Sequence, residues 1–323
     1  MTSESLSIEA GADLLRRAHE AIASRIIGQN AAIDDALVVF LARGHLLIEG
    51  VPGTAKTLLV RALAAALGIR SARIQFTPDL MPSDVTGVSL LRDPSRGFEF
   101  QPGPIFTAIL IADEINRAPA KTQAALLEAM GERQVTVDGT SRKLDDLFTV
   151  YATQNPVEHE GTYPLPEAQL DRFLLKAVIP YPAIQAELQM LALHEQGFDP
   201  ERDATLGIAP VVGAEQALAL RRLVDSVRVA PELREYIAGI TRATRSDPAI
   251  ALGASPRATV ALLRAARAAA VLDGRNYAVP DDVKGRAAAA LRHRITLAPE
   301  VEVEGRSVDD VLGAILTRVP VPQ

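Results

Sequence analysis

Eight residues constrain this chain more than any others: Gly50-Val51-Pro52-Gly53-Thr54-Ala55-Lys56-Thr57. An apolar run, His45-Leu46-Leu47-Ile48-Glu49, precedes them, and a helical run from Leu58 to Leu67, closed by Gly68, follows. Strand, Gly-rich turn and helix together form the setting of a phosphate-binding loop. Gly50 and Gly53 let the backbone curl so that its N–H groups converge on phosphate oxygens. The helix N-terminus adds partial positive charge at the same place. Lys56 is expected to reach the β- and γ-phosphates, and the Thr57 hydroxyl to ligate Mg²⁺. Ala55 departs from the pattern G-x-x-x-x-G-K-[ST], which has a second Gly there. Its methyl group is expected to be tolerated if that residue already has helical φ.

A second chemical signal lies at Thr107-Ala108-Ile109-Leu110-Ile111-Ala112, an apolar run suited to a strand buried on both faces of a parallel sheet. It ends in Asp113-Glu114. Ligands bind at the C-terminal ends of strands in open α/β sheets, so Asp113 is expected to hold Mg²⁺ through its water shell. Glu114 is expected to take the proton from an attacking water. A further buried-strand candidate, Phe148 to Thr153, ends in Gln154-Asn155-Pro156, which brings Asn155 to the same sheet edge. Asn155 could bind the γ-phosphate or the lytic water. Ile26-Ile27-Gly28-Gln29, just before the first strand, reads either as part of a nucleotide-base wall or as a plain interhelical turn.

Composition narrows the alternatives. The chain has 323 residues, enough for one large domain and a smaller one, and its 48% hydrophobic but only 4% aromatic content favours helix-rich packing. With no Cys, disulfides, thiol catalysis and Cys-based metal sites are excluded. The five His (His19, His45, His159, His194, His293) show no ligand spacing. A formal charge of −6 argues against nucleic-acid partners. No signal peptide or membrane-spanning stretch is evident, so a cytoplasmic protein without membrane insertion is expected.

The rest of the chain gives its organisation. Helices are expected over Ser7–Ala23, Ala31–Ala42 and Pro119–Met130, the last with Gly131 just past its end. Val88–Leu91 and Phe98–Phe100 flank the turn-rich Asp93-Pro94-Ser95-Arg96-Gly97 as an inserted hairpin. Its two aromatics could face a substrate or pack on their own domain. Asp138-Gly139, between Gln134–Val137 and Thr140–Leu144, is the strongest hairpin signal, suited to a type I′ turn. Beyond Pro180-Tyr181-Pro182 everything reads as helical, from Ile184 to Arg292. The basic residues Arg264, Arg267, Arg275, Lys284, Arg286, Arg292 and Arg294 are interleaved with Ala and Leu. They read as a solvated helix face rather than a nucleic-acid patch.

Together these segments resemble the MoxR-type AAA+ ATPases over nearly the whole chain from Ile26 onward. The resemblance rests on Gly50 to Thr57 (Ala55 included), Arg73 to Gly87, Asp113 to Pro119, Ala152 to Pro156, Leu165 to Phe173 and Gly253 to Arg257. It implies an α/β fold: an AAA+ P-loop core with a parallel sheet sandwiched by helices, two inserted β-hairpins and a smaller all-α lid. The expected division is an N-terminal helix over residues 1–25, the core over 26–228 and the lid over 229–323. The resemblance also implies roles that spacing does not supply. Asn155 corresponds to sensor 1, Arg257 to sensor 2, and Arg172 to an arginine finger acting on the neighbouring subunit's nucleotide. Whether Arg257 serves its own site or a neighbour's stays open. The family implies Mg-ATP hydrolysis, a homo-oligomer of hexameric-ring type, and chaperone-like remodelling of partners. A separate von Willebrand factor A domain protein is one such partner. A magnesium-chelatase-like motor subunit and a nucleic-acid-stimulated ring motor are the competing readings.

Overall fold

The computed structural model describes residues 6–93, 97–156, 162–202 and 206–322. The expected turn residues Pro94-Ser95-Arg96, and His159, lie outside them. Helix α1 (Ile8–Ala23) opens the described chain, capped by Ser7, whose hydroxyl accepts from the Ala10 amide at 3.2 Å. Its apolar residues Leu14, Leu15, Ala18 and Ile22 fall on one face and are buried. Helix α2 (Asn30–Leu41) is buried almost all round from Ala32 to Leu41, as its mostly apolar sequence requires.

Strand β1 (Leu46–Gly50) then feeds α3 (Lys56–Leu67) and β2 (Ser71–Gln75). After α4 (Pro82–Thr86), the strands β3 (Gly87–Asp93) and β4 (Gly97–Pro102) pair antiparallel as the first inserted hairpin. Strand β5 (Ile109–Asp113) is buried at every position. Helix α5 (Ala120–Glu132) follows, then the second hairpin, β6 (Gln134–Val137) with β7 (Thr140–Lys143). Asp138 and Gly139 take φ of 50° and 74°, the paired positive values of a type I′ turn. Strand β8 (Thr149–Gln154), the short helix α6 (Glu167–Leu170) and β9 (Leu175–Ile179) complete the core strands.

The five-stranded sheet has the order β2-β5-β8-β1-β9, with every neighbouring pair parallel. The chain leaves β1 for β2 at one edge and later returns to place β9 on the other side of β1. That reversal opens a crevice at the C-terminal end of β1, the usual ligand position in such sheets. A large apolar cluster from α1, α2 and α3 covers one face, and a second cluster built around Leu110, Phe148 and Phe173 covers the other. Each fully buried Leu or Ile there contributes roughly 1.5–3 kcal/mol.

The C-terminal part comprises α7 (Ile184–Glu195), α8 (Ala214–Ser226), α9 (Pro231–Ser246), β10 (Ile250–Leu252), α10 (Pro256–Leu272) and α11 (Pro280–Leu291). Strand β11 (Thr296–Leu297), α12 (Pro299–Val303) and α13 (Val308–Arg318) follow. The expectation of helix alone is corrected here: β10 and β11 form an antiparallel pair. Strands of three and two residues are too short to show an alternating pattern. Two further corrections bear on the site. Gly131 lies inside α5, which instead ends where Arg133 takes a left-handed φ of 53°. The basic residues expected on a solvated face mostly point inward. Arg275, Arg286, Arg292 and Arg294 are bound to carboxylates or main-chain carbonyls.

Candidate functional site

The crevice at the end of β1 is a cleft of about 1050 Å³. One end is lined by the loop residues Pro52, Gly53, Thr54, Ala55, Lys56 and Thr57 together with Asp113, Glu114, Thr153 and Asn155. The other end is walled by Ile26, Ile27, Gln29, Met190, Leu191 and Phe198. Of the turn before β1, Ile26, Ile27 and Gln29 line the cleft. Gln29 also donates through Nε2 to Pro180 O at 3.2 Å. Gly28 turns the chain at φ 75° against Ala186 of α7 and does not line the cleft.

Within the loop, Gly53 has φ 82° and Ala55 has φ 61°, ψ 23°. The expectation of ordinary helical φ at Ala55 is thus corrected: the residue is left-handed, a conformation that costs an L-residue roughly 1–2 kcal/mol. Thr54 Oγ1 donates to Val51 O at 2.8 Å and ties the loop across itself. Lys56 Nζ folds over the loop and donates to Gly50 O at 2.5 Å and Val51 O at 2.8 Å. Its charge therefore sits at the loop's centre, where an anion would draw it off the carbonyls.

Asp113 gathers the neighbouring elements. Its carboxylate accepts from Thr57 Oγ1 at 3.0 and 3.2 Å, from Thr153 Oγ1 at 3.1 Å and from Arg73 Nε at 2.6 Å. Thr57 and Asp113 thus place hydroxyl and carboxylate oxygens side by side. A hard cation that keeps most of its waters and shares phosphate oxygens would accept this donor set. Among the described residues no group of three or more His, Cys, Asp or Glu could cage a metal alone. The donors fit Mg²⁺ carried with a phosphate ligand rather than a resident metal.

Glu114 takes a left-handed φ of 55°, and its amide donates to Thr153 Oγ1 at 2.9 Å. Its Oε2 accepts from Gln75 Nε2 at 2.7 Å and from an Arg117 guanidinium nitrogen at 3.0 Å. Strained backbone at the end of a buried strand is common where a side chain must be aimed. Asn155, buried beside Thr153, completes this wall. Sequence reasoning placed Arg117 near the cleft without a role and missed Arg73, Gln75 and Thr153 as site residues. For Arg73 and Gln75 the available signal was their alternation on one face of the edge strand β2.

Arg172 and Arg257 are not brought to this cleft. Arg172 is exposed and lies along α5, where it donates to Leu127 O at 2.8 Å. A Cβ at Gly131 would come within 2.2 Å of its guanidinium, so glycine there makes room for the arginine. Arg257 is also exposed, and its guanidinium stands 3.6 Å from Asp171, the residue beside Arg172. Arg257 is therefore held next to the segment that carries Arg172, and neither arginine lines the cleft.

A five-stranded parallel sheet with a phosphate loop at its switch point, a strand-end acidic pair, two inserted hairpins and a helical C-terminal part together define an AAA+ P-loop ATPase. Residues 45–175 match the family described as "ATPase family associated with various cellular activities (AAA)", and residues 242–315 match the AAA lid domain. The chain belongs to the MoxR-type AAA+ ATPases. It is 48% identical over 309 residues to the uncharacterised protein YeaC of Bacillus subtilis, covering 96% of this chain and 95% of that one. It is 39% identical to the chaperone MoxR1 of Mycobacterium tuberculosis over 96% of this chain and 82% of that protein. A crystal structure of a candidate ATPase from Cytophaga hutchinsonii superposes with a TM-score of 0.87. That structure is 38% identical, with 97% and 96% of the two chains covered. Among the described residues no helix is long and apolar enough to cross a membrane.

Proposed function

We propose that this chain hydrolyses Mg-ATP at sites completed between subunits of a ring and uses the cycle to remodel partner proteins. The observation that carries this reading is the separation of parts. Loop, acidic pair and Asn155 line one cleft, whereas Arg172 and Arg257 are exposed and outside its lining. A second copy presenting these arginines to the cleft supplies the missing cations.

ATP enters with its base between Ile26, Ile27 and Phe198 and its phosphates over the loop amides. Lys56 leaves the Gly50 and Val51 carbonyls for the β- and γ-phosphate oxygens. Thr57 and Asp113 would hold magnesium, which would supply neutralisation of phosphate charge. Asn155 orients the γ-phosphate or the attacking water, and Glu114, aimed by Gln75 and Arg117, accepts that water's proton. Arg172 of the neighbour stabilises the charge that develops on the transferred group. Arg257, held beside Arg172 through Asp171, acts on the same neighbouring site.

The apolar stripe of Tyr181, Ile184, Leu188 and Leu191 supports assembly. These residues are 74, 64, 51 and 62% exposed, at helical spacing on and before α7 and beside the cleft. Phe98, 75% exposed on the first hairpin, is a contact for the protein being remodelled, whereas Phe100 packs edge-on against Phe106 under the Arg142 guanidinium. We assign the ring as hexameric and place a separate von Willebrand factor A domain protein among its partners. Glu114→Gln tests the reading. Hydrolysis should fall by roughly 10²–10⁴-fold with ATP binding retained, and undiminished turnover would remove Glu114 from the mechanism.

A further inference from the structure

Three consecutive residues after α11, Arg292-His293-Arg294, bind the main chain of the segment that carries Arg172. Arg294 is 9% exposed, and all five of its N–H donors are engaged. Nε donates to Asp171 Oδ1 at 2.6 Å, and one terminal nitrogen to Asp171 O at 3.1 Å and Phe173 O at 2.6 Å. The other donates to Leu174 O at 3.0 Å and to Ala290 O in the last turn of α11. His293 Nε2 meets Phe173 O at 3.1 Å, and Arg292 donates to Lys176 O at 2.9 Å. The carbonyls on both sides of Arg172 are therefore held by the C-terminal helical region, over more than a hundred residues of separation.

The same segment is fixed at other points. Thr296 Oγ1 donates to Glu167 Oε1 at 3.1 Å, and Ser255 Oγ, just before Arg257, reaches Asp171 Oδ2 at 3.4 Å. Arg292 in turn is gripped by Asp309 of α13 at 2.9 and 3.0 Å. Asp171 thus links the buried Arg294 that anchors it to the exposed Arg257, with Arg172 next to it in the chain. A fork of donors converging on one short stretch of backbone fixes both position and direction, which a single cation does not.

We propose that Arg294 is a positioning residue for Arg172: it splints residues 171–174 to the C-terminal helices, so that movement of those helices sets or withdraws the arginine offered to the neighbouring site. This rests on the reading of Arg172 as a finger acting in trans. Arg294 never touches nucleotide. Its loss acts on the subunit next door and leaves its own loop, acidic pair and base wall intact. Regulation of hydrolysis by the orientation of the helical part then follows without any separate sensor.

Steady-state ATPase of Arg294→Lys, alone and mixed with Lys56→Ala, tests this. Lysine keeps the charge but loses the fork. The variant alone should lose about 10–100-fold in kcat, the usual effect of displacing a positioned group, with KM for ATP nearly unchanged. Mixing with Lys56→Ala, which has a dead site but a sound Arg172, should raise hydrolysis well above the sum of the separate proteins. The parallel mixture of Arg172→Ala with Lys56→Ala separates the two claims. If it recovers activity and the Arg294→Lys mixture does not, the splint is wrong and the finger stands. If neither recovers, the finger reading fails and the splint with it. Undiminished kcat in Arg294→Lys, or a loss confined to KM, also overturns the proposal. Should Arg294→Lys fold poorly by thermal unfolding, Asp171→Asn removes the same charge-assisted bond and is read against Arg257→Ala, since Asp171 also faces Arg257: a larger kcat loss than that of Arg257→Ala supports the splint, and an equal or smaller one overturns it.

Discussion

Two residues with left-handed backbone, Ala55 and Glu114, bracket the chemistry of the cleft. Replacing Ala55 by Gly relieves a conformation that favours glycine, so Ala55→Gly should raise unfolding free energy by about 0.5–1 kcal/mol in urea titration. A decrease would mean that the Ala55 methyl, packed against the core, outweighs the backbone cost. Glu114 depends on Gln75 and Arg117 for its aim. Gln75→Ala should therefore lower kcat for ATP by about 10-fold, through the base alone, while leaving KM in place. Unchanged kcat would show that Arg117 suffices. The loop and the acidic pair were legible in the sequence because each is contiguous and sits at a strand end. Arg73 and Thr153 were not, since their common partner Asp113 is 40 positions away from each.

Elements are joined by buried polar groups whose partners come from distant segments. His45, at the entry to β1, accepts from the Val150 amide through Nδ1 at 2.9 Å and meets Met130 O through Nε2 at 3.2 Å. Burial, with the Arg133 charge nearby, pushes its pKa down to about 3. In the unfolded chain the same imidazole titrates near 6.5, so between those values only the unfolded state binds the proton. Stability from this group is complete above pH 6.5 and is lost as pH falls toward 3. Between pH 7.5 and 5, the wild type should therefore lose about 2 kcal/mol more than His45→Gln, measured by urea unfolding. Equal losses would mean the imidazole is protonated in the fold.

Arg221 of α8 is the second such joint, 1% exposed and bonded to the carbonyls of Phe40, Asp146 and Leu147 and to Thr149 Oγ1. Burial draws its pKa down to about 9. Arg221→Leu strands those carbonyls and should cost roughly 2–4 kcal/mol. Helix periodicity revealed α8 but gave no reason to place its arginine inside, because composition does not distinguish a cation facing water from one facing carbonyls.

At the scale of the molecule, one apolar cluster runs from α1 through α2 and α3 into α10 and α11, so core and helical part share an interior. The inward-turned arginines add direction to that packing: Arg286 binds Asp34 and Asp35 of α2, and Arg292 and Arg294 bind the segment from Asp171 to Lys176. The parallel core, both hairpins and most long helices were legible as local patterns. The approach of Arg257 and Arg294 to Asp171, beside Arg172, was not, because it depends on how the helical part folds back onto the core. The proposed assembly into a ring is what gives Arg172 and Arg257 a use. The most direct test is ATP hydrolysis in mixtures of Arg172→Ala and Lys56→Ala across a series of ratios. Each variant alone should be nearly inactive, the first by on the order of 10³-fold or more, and activity should appear on mixing and peak at intermediate ratios. Mixtures that stay as inactive as their components at every ratio would contradict a site shared between subunits.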